Sequence, residues 1–116
     1  MVELDAFKTE LGNYEEPLAE VRDSLDLAAK EQRIEELERK MEEPNFWDVP
    51  EKAQEQVKEL GSLKDDRDTY NKLVSDKEDI ETLIEMGYEE ADPSLIPEIR
   101  EMLDGFEADF DRLRIK

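Results

Sequence analysis

Adjacent carboxylates such as Glu35 with Glu36, Asp65 with Asp66 and Glu89 with Glu90 are the side chains in this sequence best equipped for chemistry. A pair of acids held together can share a proton, act as general acid and base, or grip a divalent cation. Spacing decides against each reading. Neighbouring positions on a helix point to different faces, so none of these pairs converges unless the chain leaves the helical state. A calcium loop requires acids at alternate positions, a central glycine and a terminal glutamate, an order that Asp76–Gly87 (DKEDIETLIEMG) lacks. The four glycines, Gly12, Gly61, Gly87 and Gly105, stand far apart, so no loop can cradle a phosphate. Histidine and cysteine are both absent, which removes the commonest general base, thiolate chemistry and the usual transition-metal ligands. The expectation is a protein that is not an enzyme and holds no cofactor or metal.

Net charge narrows the binding classes. With 35 acids against 16 bases the chain carries −19, the opposite of a surface that neutralises phosphates. Aromatic residues interleaved with bases, the pattern of single-strand binders, do not occur. Direct, extensive nucleic-acid binding is therefore not expected. No stretch approaches the roughly 20 apolar residues that span a bilayer, and the acidic start MVELDAFKTE is not a secretory leader. A cytoplasmic protein without a membrane partner follows. Residues 78–111 concentrate the charge, with thirteen acids against Arg100 alone, a net −12. Within this region Glu98, Glu101, Asp104 and Glu107 are the candidate docking surface for a basic partner, the alternative being a solvated face.

The elements that carry these acids are helical throughout. Leu4, Phe7, Leu11, Tyr14, Leu18, Val21 and Leu25 recur every three or four residues, the stripe of an amphipathic helix. Pro17 removes a hydrogen bond to Asn13 and crowds its carbonyl, so this segment is one bent helix or two short ones. A second helix, capped by Ser24 or Asp26, carries Leu27, Ile34, Leu37 and Met41 before Pro44 stops it. Asp48 with Glu51 resembles a capping box, Pro50 suits the first turn, and the stripe from Ala53 to Ile84 predicts a helix of about 38 residues ending at Gly87. Asp92 or Ser94 caps the last helix, with Pro97 at its third position and Ile99, Met102, Leu103, Phe106, Phe110 and Leu113 on the apolar face. This pattern is still running at Lys116, which reads as a cut inside or just after a helix.

Short connections make such helices antiparallel neighbours. The expected fold class is all-α: an elongated antiparallel helical bundle of about three long helices plus a bent or broken N-terminal helix, forming a single domain over residues 1–116. Phe46 and Trp47 fall between a stopped helix and a started one, where their rings would cover the end of the bundle. Trp47 takes the place of a hydrophobic staple opposite Lys52. If that ring is fully buried, Trp47→Ala costs about 3–5 kcal/mol.

The succession SLDLAAKEQRIEELERKMEEPNFWDVPEKAQEQVKELGSL, DTYNKLVSDKEDIETLIE and LIPEIREMLDGFEADFDRLRI resembles the N-terminal domain of the bacterial peptide chain release factor 2 family. Its most specific part is the corner at Pro44, Phe46, Trp47, Asp48, Pro50 and Glu51. The resemblance implies the N-terminal part of a longer factor for translation termination, which recognises UAA and UGA stop codons and promotes peptidyl-tRNA hydrolysis on the ribosome. In that family a Ser-Pro-Phe motif reads the codon and a Gly-Gly-Gln motif supports hydrolysis, both in later domains. Neither motif occurs here, since Pro44–Phe46 reads PNF and no two glycines are adjacent. No catalytic or codon-reading role therefore passes to any residue of this chain. The resemblance further implies docking near the ribosomal stalk-base proteins and the GTPase-associated region, where release factor 3 acts. Two rivals stand beside it: a free-standing acidic coiled-coil adaptor or chaperone, and a nucleic-acid mimic, against which the mixed signs of residues 30–42 count.

Overall fold

The computed structural model describes residues 1–115, with helices α1 (Val2–Gly12), α2 (Glu15–Leu25), α3 (Leu27–Met41), α4 (Pro50–Glu90) and α5 (Leu95–Arg114). A single turn of 3-10 helix spans Phe46–Asp48, and there is no strand among the described residues. The molecule is an all-α, elongated, antiparallel bundle with a broken N-terminal helix, as its apolar stripes predict. It measures 62 × 23 × 18 Å. The long dimension is set by α4, whose 41 residues extend about 62 Å at ~1.5 Å per residue.

The N-terminal break comes from Pro17. Its ring nitrogen cannot donate to the Asn13 carbonyl, so α1 closes with the Asn13 amide donating to the Thr9 carbonyl, 3.1 Å, and the Tyr14 amide to that of Leu11, 3.0 Å. The helix restarts when the Leu18 amide reaches the Tyr14 carbonyl, 2.9 Å. One residue then turns the chain from α2 into α3: Asp26 is left-handed, φ 49° and ψ 58°, a conformation that Asp tolerates better than most side chains. Its Oδ1 accepts from the Ala29 amide at 3.4 Å, so Asp26 rather than Ser24 is the cap.

Two expected boundaries move, and one cap is made differently. Asp48 does not cap α4, because its amide closes the 3-10 turn on the Asn45 carbonyl, 3.2 Å. The residue before a proline is pushed into extended backbone; Val49, at φ −113° and ψ 95°, therefore becomes the cap, without a side-chain acceptor. The capping box at Asp48 and Glu51 is thus not formed. Nor does α4 stop at Gly87, which is a buried position inside the helix; the turn comes at the left-handed Ala91, φ 48°. At the start of α5, Ser94 occupies the cap position but contributes no side-chain bond. Asp92 instead ties the turn by accepting from the Ser94 amide, 2.9 Å, and hydroxyl, 2.7 Å. The expected run to the chain's end reaches Arg114, and Lys116 lies outside the described residues.

Two apolar cores hang on α4. The larger joins α1, α2, α5 and the C-terminal half of α4 around Phe106, Phe110 and Ile80, with Tyr14 packed edge-on against both phenylalanine rings at 5.2 and 5.1 Å. The smaller contains Ile34 and Leu37 of α3 against Leu60 of α4. No helix of the described residues is long and apolar enough to cross a membrane.

Candidate functional site

Two surfaces at opposite ends of α4 carry the residues singled out by sequence. At the corner between α3 and α4, the Phe46 and Trp47 rings meet edge to face, 4.7 Å between centroids. Trp47 does not seal the bundle: 55% of its surface is exposed, as is 54% of Val49, while Phe46 is half-buried. Among the described residues the only cation over a ring is Arg100 on Phe7, so the expected Trp47–Lys52 staple is not made as a cation–π contact. The reason lies in the 3-10 turn. It spends the residues between Pro44 and Pro50 on reversing the chain, which leaves Trp47 on the outer side. A cleft of about 420 Å³ opens beside it between Lys40, Phe46, Val49 and Lys52. Removing a half-exposed ring deletes little buried area, so the expected loss on Trp47→Ala is about 1 kcal/mol, near that of one aromatic pair. Urea denaturation measures it; a loss of about 3 kcal/mol or more would restore the buried-staple reading.

The acidic segment 78–111 is organised by its one base, Arg100. Arg100 projects from α5 between α1 and the next two turns of its own helix. Its Nη1 and Nη2 donate to Glu10 Oε1 and Oε2 at 3.1 and 2.6 Å, its Nε and Nη2 to Asp104 Oδ1 at 3.0 and 2.6 Å, and Nη2 to Glu107 at 3.4 Å. Its guanidinium carbon lies 5.4 Å from the centre of the Phe7 ring. The two-pronged bond to Glu10 is the geometry in which Arg binds carboxylate best, and it clamps α1 to α5. Spacing supports this locally: Arg100, Asp104 and Glu107 follow one another at four and three residues, on one helical face.

Carboxylate oxygens of Glu10, Asp104 and Glu107 lie within 4.8 Å of one another, close enough for a cation to bridge. Arg100 already donates to all three. The cluster therefore works as an ionic clasp.

Within it two glutamates face each other and share one set of partners. The Arg100 hydrogen bond holds the Glu10 carboxyl below its ordinary value. Burial, reinforced by a hydrogen bond with Glu10, pushes the Glu107 carboxyl up. Tyr14, packed beside Glu107 and bonded to it, is pushed up to about 12, first by burial. The signs separate the two acids. Glu10 contributes stability above its unfolded value that is lost as pH falls through its depressed folded value, whereas Glu107 stabilises below its unfolded value and loses that contribution as pH rises through its elevated one. Glu107→Gln should therefore gain in melting temperature relative to the parent as pH rises from about 4 to about 7. Parallel profiles for the two proteins would remove Glu107 from this account.

The four candidate docking acids thus divide. Asp104 and Glu107 spend their charge on Arg100, while Glu98 and Glu101 are exposed on α5. Glu10 is not visible in the sequence as part of the site because ninety residues separate it from Arg100, and Tyr14 shows there only as a member of the apolar stripe. The visible signal was Arg100 itself, a lone base among thirteen acids.

The PCRF domain family matches residues 30–116. Peptide chain release factor 2 of Staphylococcus saprophyticus subsp. saprophyticus is 34% identical over 115 residues, which is 99% of this chain and 31% of that protein. The release factor 2 of an Exiguobacterium species is 38% identical over 114 residues, 98% of this chain and 29% of the relative. That of Haemophilus ducreyi is 37% identical over 98 residues, 84% of this chain and 27% of the relative. The chain therefore spans about a third of the length of the curated relatives it matches.

Proposed function

The chain belongs to the PCRF domain family, and from that membership we propose that it serves translation termination as the helical bundle of a factor that recognises UAA and UGA codons and promotes peptidyl-tRNA hydrolysis on the ribosome. The observation that carries the reading is alignment with release factor 2 proteins over nearly the whole chain, including the Pro44–Glu51 corner. The bundle's own part is docking and orientation rather than chemistry. Its 116 residues contain neither Gly-Gly-Gln nor Ser-Pro-Phe, and its clustered carboxylates serve an interhelical clasp. Its partners are the ribosome, at the stalk-base proteins, and release factor 3 in the GTPase-associated region. Its setting is the cytoplasm.

Glu98 and Glu101 are the acids best placed to meet a basic protein, because they are exposed and carry charge that the Arg100 clasp leaves unused. Exposed charges at the rim of an interface steer association and are screened by salt. The test is sedimentation of the 116-residue chain with ribosomes across a salt series. Binding should weaken with salt and fall by about fivefold or more in the Glu98→Lys, Glu101→Lys double variant, as expected for two exposed charge contacts. Equal binding by parent and variant would sink the docking surface. Binding no better than that of an unrelated acidic bundle would sink the ribosomal role.

A further inference from the structure

The two cores do not restrain α4 equally. Its C-terminal half shares a core of thirteen buried side chains from four helices, three of those side chains its own. Its N-terminal half has α3 as its one helical neighbour in the small core, where three side chains, Ile34, Leu37 and Leu60, are buried. Additional attraction across this seam comes from ion pairs in two rows. On one flank Lys30 Nζ meets Asp66 Oδ2 at 2.6 Å and Arg33 Nε meets Glu59 Oε2 at 2.7 Å. On the other, Arg67 Nε lies 3.6 Å from Glu31 Oε1, and Lys64 Nζ lies 3.1 Å from Glu38 Oε2. The polarity reverses between flanks: α3 supplies the bases of the first row and the acids of the second. The antiparallel register is therefore written in charge as well as in apolar contact. Both ends of α3 are joints, the left-handed Asp26 on one side and the Glu42–Val49 corner on the other.

We propose that α3 and the N-terminal half of α4 form a hinged arm, closed by an ionic latch, that opens as a local unit while the four-helix end stays folded. Regions with few buried contacts open independently of a larger core. Opening uncovers the stripe of Ile34, Leu37 and Leu60. Salt acts on the two ends in opposite senses. It screens the attraction across the latch, because the Debye length falls to about 3 Å at ~1 M. At the other end, where residues 78–111 alone carry thirteen acids against one base, it relieves repulsion and favours the compact state.

Native-state hydrogen exchange followed by mass spectrometry tests this on the whole chain. An exposed ion pair shifts an equilibrium by up to about fivefold; Lys30–Asp66, the most buried of the four, is screened least, and weakening of the other three should speed exchange in residues 28–41 by about tenfold or more between low salt and ~1 M sodium chloride. Exchange in residues 99–113 should slow or hold. Equal responses in the two segments would show a single cooperative unit and overturn the proposal, as would an α3 that ignores salt. Arg33→Glu should speed α3 exchange at low salt, and adding Glu59→Arg should return it to the parent rate. A double variant that stays fast would locate the effect in packing rather than in the latch, and would equally overturn it.

Discussion

Phe106→Ala should lower the unfolding free energy by about 3–5 kcal/mol, the cost of emptying a large aromatic site in a packed core. Phe106 is 1% exposed, and it stands where α1, α2, α4 and α5 converge. Its loss would also leave Tyr14 without one of its two edge contacts, at 5.2 Å. Such pairs are worth about 0.5–1.5 kcal/mol beyond the area they bury. Because small domains hold only about 5–15 kcal/mol in total, this one substitution should remove a large share of the stability of the four-helix end. Urea denaturation followed by far-UV circular dichroism gives the value directly. A loss below about 1.5 kcal/mol would mean that the surrounding helices collapse into the space, contrary to the close packing inferred from its burial.

Gly87→Val is expected to cost about 1–3 kcal/mol, for the opposite reason. A Cβ at position 87 would lie 3.0 Å from Leu4 Cδ1 and 3.2 Å from Cδ2. Leu4 is fully buried, so its methyl groups cannot yield by swinging into water. Helix propensity favours Val over Gly by only a few tenths of a kcal/mol, too little to offset the overlap. Truncating the obstacle should rescue the variant: in a Leu4→Ala background the added penalty of Gly87→Val should shrink or vanish, a coupling that a double-mutant cycle reads out. A melting temperature unchanged in the single variant would place the α1 contact elsewhere.

These two residues show what the amino-acid order discloses and what it hides. Phe106 was legible, because it sits in a stripe whose period of three and four residues fixes one helical face whatever that face touches. The same holds for Leu4, Ile80 and Leu103, and thus for the all-α fold. Gly87 was misread. A glycine at the end of a stripe looks like a helix terminator, and only the approach of α1, eighty residues away in sequence, explains why the helix passes through it. Trp47 failed in a similar way, since a lone tryptophan between two prolines suggests burial, whereas the geometry of the 3-10 turn turns it outward. At the corner, Pro50 correctly marked the first turn, but its effect on Val49 displaced the cap from Asp48. The clasp was hidden because a bidentate pair is a property of two helices, and nothing in the neighbourhood of Glu10 names Arg100.

The uninterrupted course of α4 makes the molecule a measuring rod. Trp47 lies just before one end of α4 and the Ala91 turn just after the other, separated by 41 helical residues, about 62 Å at ~1.5 Å per residue, in one continuous series of backbone hydrogen bonds. Each residue of that series sets both a length, about 1.5 Å, and an angle, about 100°. Losing a single residue near Asp65 would therefore shorten the rod only slightly, yet turn the aromatic corner about 100° away from the Arg100 face. Losing seven would shorten it by about 10 Å and leave the two faces nearly in phase. Evolution can trim such a protein in pairs of turns far more readily than by one residue.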